Sequence, residues 1–153
     1  MFGDRHCDKN WFLTSSHDLA GTRVIVLDSA SDTRAPTGFR GACDPLGQLC
    51  SRRLDWLERS MNEAIDQPVI VILHHLAPPL RISDDKAALQ EPDALIDLLA
   101  ADRDVRQVIS GHIHMTFTTL HRGIPFTTTT VTARPCPRAL AARRSKTGAK
   151  ARR

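Results

Sequence analysis

Apolar positions along this chain follow two periods. Val69-Ile70-Val71-Ile72-Leu73 and Val105-Arg106-Gln107-Val108-Ile109-Ser110 are short runs rich in Val and Ile, as is Arg23-Val24-Ile25-Val26-Leu27, and runs of this length read as buried strands. From Gln48 to Asp66 the period changes: Leu54, Leu57, Met61, Ala64 and Ile65 recur at helical spacing and give one apolar face, and Pro68 ends it. A second helix is predicted from Pro92 to about Ala101. Pro92 suits its first turn, Asp93 its positive end, and Leu95, Ile96, Leu98 and Leu99 its buried stripe.

The segment from Val69 to Ser110 is therefore strand, helix, strand, with a connection long enough for a right-handed crossover between parallel strands. Parallel pairing places the carboxyl ends of both strands at one edge of the sheet. Upstream, Trp11-Phe12-Leu13 reads as a strand that pairs with Arg23–Leu27 in a hairpin through Ala20-Gly21. Residues 28–46, rich in Gly, Pro, Ser, Asp and Thr, read as a long loop, and residues 81–90 as a polar connection after Pro78-Pro79. Downstream, Thr116–Leu120 and Phe126–Val131 are Thr-rich and β-prone, with His121-Arg122-Gly123 between them as the turn of a closing hairpin.

Composition narrows the class. With 41% hydrophobic and 25% charged residues over 153 positions, the chain is that of an ordinary soluble domain. No apolar stretch reaches the length of a membrane span. Met1-Phe2-Gly3-Asp4-Arg5-His6 carries charge where a signal peptide would be apolar, so a cytoplasmic location is expected. Cys7, Cys43, Cys50 and Cys136 form no Cys-x-x-Cys pair and suit neither a zinc knuckle nor a disulfide framework, so they are read as reduced thiols. The net charge of +4 belongs to one end of the chain. Residues 134–153 hold eight basic residues and no acidic ones; without them thirteen basic residues face seventeen acidic ones, a formal charge of −4. Two units follow: a domain portion over 1–133 and a basic tail over 134–153, predicted to be disordered. Weak attraction to nucleic acid is the function open to that tail, and it has no interleaved aromatics on which bases could stack.

The candidate chemistry is carried by histidine. His74-His75 directly follows one apolar run, and Gly111-His112-Ile113-His114 follows the other. Ligands of open parallel sheets bind outside the carboxyl ends of the strands, so the two clusters can point into one site. Imidazole is the commonest metal-binding side chain. On extended backbone His112 and His114 share a face, with Gly111 free to take an unusual backbone angle before them. Adjacent residues face opposite ways, so one of His74 and His75 is expected as a ligand and the other as a residue that orients a neighbour. His6, His17 and His121 read as surface or hydrogen-bonded residues.

Ile72-Leu73-His74-His75 with prolines soon after, followed by Ser110-Gly111-His112-Ile113-His114, resembles the C-terminal half of the calcineurin-like metallophosphoesterases, in the branch of class III cyclic-nucleotide phosphodiesterases. Val24-Ile25-Val26-Leu27-Asp28-Ser29 is similar to the Leu-Asp-Ser strand of that branch. Leu46-Gly47-Gln48 leading to Leu54-Asp55-Trp56-Leu57 is similar to the segment opening its next helix, and His121-Arg122-Gly123-Ile124-Pro125 to its closing hairpin. The likeness runs from about Arg23 to Val131. It implies an α/β fold, part of a four-layer α/β/β/α sandwich without its N-terminal strands. It implies His74 and His112 as ligands of one metal, His114 as a ligand of the other, and His75 as an accessory residue. Manganese, iron or zinc would serve as the metals, a small phosphodiester such as a cyclic nucleotide as the substrate, and metal-activated water as the nucleophile attacking phosphorus in line.

That family also carries an Asp-x-His, a Gly-Asp with further acidic residues, and an Asn-His-Asp or Asn-His-Glu upstream of the Leu-Asp-Ser strand. Here 22 residues precede Arg23 and none of these motifs is intact, so no catalytic residue is assigned. The expectation is a truncated phosphodiesterase, unstable or weakly active alone, with an open strand edge that a complementing N-terminal half or a dimer partner would cover. The alternative is a non-catalytic remnant holding at most one metal rather than the two of the intact family.

Overall fold

A computed structural model describes residues 13–30, 47–78, 88–113 and 115–130. In chain order the elements are β1 (Ser15–Leu19), β2 (Thr22–Leu27), α1 (Ser51–Asn62), β3 (Val69–Leu73), α2 (Asp93–Ala101), β4 (Val105–Ser110), β5 (Phe117–His121) and β6 (Ile124–Thr128). The strands form a six-stranded sheet in the order β1-β2-β3-β4-β6-β5. β2, β3, β4 and β6 run parallel, and β1 and β5 close the two edges antiparallel. The crossover from β3 through α2 to β4 is thus the parallel unit that the apolar periods predict.

Both edge hairpins turn on two residues with positive φ: Ala20 (51°) and Gly21 (79°), then Arg122 (49°) and Gly123 (81°). Two positive φ values in a two-residue loop match the right-handed twist of paired strands. The first of these turns corrects the expected strand over Trp11–Leu13. A two-residue turn places Leu19 opposite Thr22 and Ser15 opposite Val26, so the partner of β2 is the polar run Ser15–Leu19. Leu13 precedes that strand and is exposed, and Trp11 and Phe12 lie outside the described residues. The second turn is narrower than expected, because His121 is the last residue of β5.

One face of the sheet is closed. Ile25, Leu27, Val69, Val71, Leu73, Val108 and Phe126 alternate along their strands, are buried, and join Leu57, Met61, Leu95, Ile96 and Leu99 from the two helices in a single core. At about 1.5–3 kcal/mol for each large apolar side chain, this burial is the main favourable contribution to the fold. The alternation slips once. Val69 pairs with Val105 but Ile70 with Gln107, a bulge that turns Arg106 out to solvent and returns Val108 to the core.

The first helix is shorter than the 48–66 expected. Cys50 is its extended N-cap, the Gln48 carbonyl accepts from Arg53 instead of continuing a helix, and Asp66 takes a left-handed φ of 56°. Ile65, assigned to the apolar face, is therefore beyond the helix and exposed, while Arg53 is a buried member of that face. Leu54 and Leu98, also assigned to buried faces, are partly buried against the core.

One sheet with helices on one face supplies two of the four layers of the expected sandwich. Residues 31–46 of the predicted loop, most of the predicted 81–90 connection, and the tail 134–153 lie outside the described residues. Cys50 is a free thiol, and the other three cysteines also lie outside them. No helix among the described residues is long and apolar enough to cross a membrane.

Candidate metal centre

The four parallel strands end at one edge, and each carboxyl end delivers a polar group there. β2 runs into Asp28-Ser29, β3 into His74-His75, β4 into Gly111-His112, and β6 into Thr129. Backbone pairing continues past the strand ends, with the Gly111 amide donating to the His74 carbonyl (3.1 Å) and the Thr129 amide to the Ser110 carbonyl (2.9 Å). These bonds hold the two histidine segments side by side.

His112 occupies a strained turn. Its φ is 66°, and the Ile113 amide donates to the Gly111 carbonyl across it at 2.8 Å, the i→i+2 bond of a γ-turn. A non-glycine residue held in such a region costs about 1–3 kcal/mol and persists where surrounding structure fixes it. The unusual angle expected at Gly111 falls instead on His112, and β4 ends at Ser110. His112 is therefore not on extended backbone, which was the ground for placing it on one face with His114. His114 lies outside the described residues.

The turn aims His112 at His74. His112 Nδ1 lies 2.9 Å from His74 Nε2, with ring centroids 4.8 Å apart and planes at 81°. His75 completes the group, its ring centroid 4.9 Å from both others. The ligating nitrogens of the three residues lie within 4.8 Å of one another. His74 is exposed, His112 half-buried and His75 buried.

This donor set fits a transition-metal ion. His112 Nδ1 and His74 Nε2 stand at hydrogen-bond distance; two nitrogens about 2.0–2.1 Å from a tetrahedral ion lie about 3.3 Å apart, so a shift of a few tenths of an ångström would seat both on one metal. Neutral imidazoles suit zinc, iron and related metals. Among the described residues no carboxylate joins the cluster, so charge compensation for a second ion is not supplied by them. A cleft of about 510 Å³ opens beside the three rings, bounded by Leu13, Val26, Ile72 and Ile109 on its apolar side.

Three residues to which no role was assigned, two of them in the Leu-Asp-Ser run, hold this edge together. The Asp28 carboxylate accepts the Ala30 amide (3.0 Å) and the Leu13 amide (3.2 Å). Buried Arg53 donates to the carbonyls of Ala30 (2.7 Å) and Gln48 (2.6 Å) and lies 4.0 Å from Asp28. Ser29 hydrogen-bonds His75 through its hydroxyl, 2.9 Å from Nδ1. The Leu-Asp-Ser run carried the signal for Asp28 and Ser29. Nothing in the sequence singles out Arg53. His17 bonds Ser15 on the surface strand β1 and His121 stacks edgewise on Phe126, in keeping with their structural reading.

The fold and site define a class: a largely parallel α/β sheet with imidazoles gathered at its carboxyl edge. Comparison with known proteins carries this further. No family model matches the chain. A dimetal phosphatase from Danio rerio shares the fold with a TM-score of 0.61 over 76% of this chain and 48% of that one, at 15% identity. A probable cyclic nucleotide phosphodiesterase from Rhodococcus erythropolis is 34% identical over 112 residues, 71% of this chain and 33% of the relative. A 3',5'-cyclic adenosine monophosphate phosphodiesterase from Pseudomonas aeruginosa is 34% identical over 65% of this chain and 34% of its own length. A probable glycerophosphodiester phosphodiesterase from Arcobacter nitrofigilis is 29% identical over 72% of this chain and 40% of its own. The chain is thus similar to cyclic-nucleotide phosphodiesterases and shares the fold of a dimetal phosphatase, spanning about a third to a half of the length of the proteins it matches.

Proposed function

We propose that the chain provides a metal-dependent phosphoesterase centre acting on small phosphodiesters, with His74 and His112 as ligands of one divalent ion and manganese, iron or zinc as that ion. The observation that carries this reading is the 2.9 Å approach of His112 Nδ1 to His74 Nε2 at the carboxyl edge of the parallel strands. The ion would polarise a phosphoryl oxygen and supply activated water. The chain's own residues set the geometry: the γ-turn aims His112 and the Gly111–His74 bond fixes the spacing. His114 remains in this reading a ligand toward a second ion. Cyclic nucleotides are the favoured substrates, because that is what the relatives from Rhodococcus and Pseudomonas are named for.

The alternative, a remnant that holds at most one ion and turns nothing over, is favoured by one observation, the lack of a carboxylate in the cluster among the described residues. Metal content and turnover separate the two. The purified chain is loaded with Mn2+, its metal is counted, and hydrolysis of bis(p-nitrophenyl) phosphate is followed. Two ions per chain with turnover abolished in His112→Ala supports the enzyme. One ion without turnover leaves the remnant, and no ion at all, or binding indifferent to both His74→Ala and His112→Ala, removes the centre.

A further inference from the structure

Three histidines meet at the sheet edge, and the hydrogen bonds of the third differ in kind. The geometry points to His75 as a hydrogen-bond donor on the wall of the centre, not a third ligand, held in that state by Ser29. The inference rests on the His74–His112 centre proposed above.

Ser29 is 1% exposed, so each of its polar groups needs a protein partner. Its hydroxyl oxygen accepts the backbone N–H of His75 at 3.2 Å and lies 2.9 Å from His75 Nδ1. A serine hydroxyl has one proton to donate and two lone pairs. Among the described residues His75 Nδ1 is the one acceptor within reach of that proton. If Nδ1 carried hydrogen, the oxygen would accept twice and the buried hydroxyl proton would have nowhere to go, at the full cost of desolvation. The balanced arrangement is Oγ–H donating to Nδ1. In a neutral imidazole the proton then sits on Nε2. A protonated nitrogen has no lone pair for a metal, but it can donate to an anionic oxygen.

Packing fixes the ring in that role. A Cβ built at Gly47 would lie 2.4 Å from His75 Cγ, so the ring rests directly on the Gly47 backbone. The loop segments that carry Ser29 and Gly47 are tied together by the Gln48 amide on the Ser29 carbonyl (3.0 Å) and by Arg53 on both sides. Ser29 and Gly47 are therefore positioning residues. The His75 ring lies 4.9 Å by centroid from those of His74 and His112, so a proton on its Nε2 would belong to the wall of the proposed centre.

Three measurements on the full chain decide this. In the 15N-labelled, metal-free chain at about pH 8, where imidazole is neutral, long-range proton–nitrogen spectra should show His75 as the Nε2–H tautomer. Ser29→Thr should keep it, and Ser29→Ala should give a mixture. With Co2+ as probe, affinity should fall by no more than about 10-fold in His75→Ala, the lower end for residues outside the ligand set, against well over about 100-fold in His74→Ala. Inorganic phosphate should bind the Co2+-loaded His75→Ala chain about 10-fold more weakly, the loss of one charge-assisted bond. An Nδ1–H tautomer in the wild-type chain, or equal Co2+ losses in His75→Ala and His74→Ala, overturns the inference. A wild-type chain that takes up no Co2+ fails the proposed function instead, and the tautomer still decides the role of Ser29.

Discussion

The two faces of the sheet are built from the same strands and have opposite fates. On one, Ile25, Val71, Val108 and Phe126 vanish under α1 and α2. On the other, Val24, Val26, Ile70, Ile72 and Ile109 are equally apolar yet half-exposed, with no described element over them, and the cleft beside the histidines opens from this side. A strand buried on both sides reads as a continuous apolar run, and β3, Val-Ile-Val-Ile-Leu, is such a run. Its composition is matched to two covered faces while the described residues cover one. An apolar area of this kind marks a surface meant to be covered or to bind.

The comparison is broken most directly from the closed side. Phe126 is 1% exposed and sits on β6 beside the sheet's central strands. Phe126→Ala should cost about 3–5 kcal/mol, the range for buried aromatics, a large share of the 5–15 kcal/mol of a whole domain. Urea unfolding of the full chain measures it. A loss below about 1.5 kcal/mol would mean the closed face is not packed as described. Next in size is Gly47→Ala, which forces a methyl group to within 2.4 Å of the His75 ring. Overpacking of this sort costs about 1–3 kcal/mol, and here the relief must come from His75 or from the Ala30–Gly47 and Gly47–Leu89 bridges. The variant should lose both stability and metal affinity. Wild-type behaviour in both would show that the ring has room to move.

How much of this was legible in the sequence differs between the two faces and the edge. Val69–Leu73 and Val105–Ser110 declared themselves because β-branched runs bounded by breakers have few other structures open to them. The parallel crossover followed from the length of the connection, and with it the meeting of His74 and His112. The strand Ser15–Leu19 was not legible, because an edge strand facing solvent needs no apolar alternation, and Ser-Ser-His-Asp offers none. The γ-turn at His112 was hidden too. Spacing on an extended chain was the available guide, and a hydrogen bond across one residue leaves no periodic trace. Arg53 was silent for a third reason: a charge at a helical position carries no signal unless the carbonyls it will bind are known, and those belong to Ala30 and Gln48 in other segments. Ser29 stood in a recognised run, but its partner lies 46 residues away.

The open face sharpens the comparison with a smaller effect. Ile72 lies opposite Ile109 in the ladder and beside Val26, half-exposed. Ile72→Ala should cost about 1 kcal/mol, well below the 2–5 kcal/mol of a fully buried isoleucine, and should improve solubility by shrinking the apolar surface. The check is the ratio of its loss to that of Phe126→Ala in the same urea titration. A loss of about 2–5 kcal/mol would show this face to be covered in solution, by a second copy or by residues outside those described, and a concentration-dependent midpoint would single out the second copy.

The smallest effect comes from the rim where the two faces meet. Arg23 sits on the closed face, donates to the Ser60 carbonyl of α1 at 3.0 Å, and pairs with Asp18 on the edge strand β1. That guanidinium, by hydrogen bond first and charge second, holds the Asp18 carboxyl below its ordinary value of 3.8 and is itself pushed upward by the pair. Because the carboxyl is depressed in the folded chain, its contribution is complete above 3.8 and is lost as pH falls through that value toward the folded one. Asp18 is about half-exposed by its side chain (53%), so solvent screens the pair and the effect is slight. Wild type should therefore exceed Asp18→Asn in urea midpoint at neutral pH, and the gap should close on acidification below 3.8 and narrow in high salt. A gap that is constant from neutral to acid would show that the asparagine disturbs the β1–β2 hairpin itself rather than the ion pair, and would remove Asp18 from the seam between the faces.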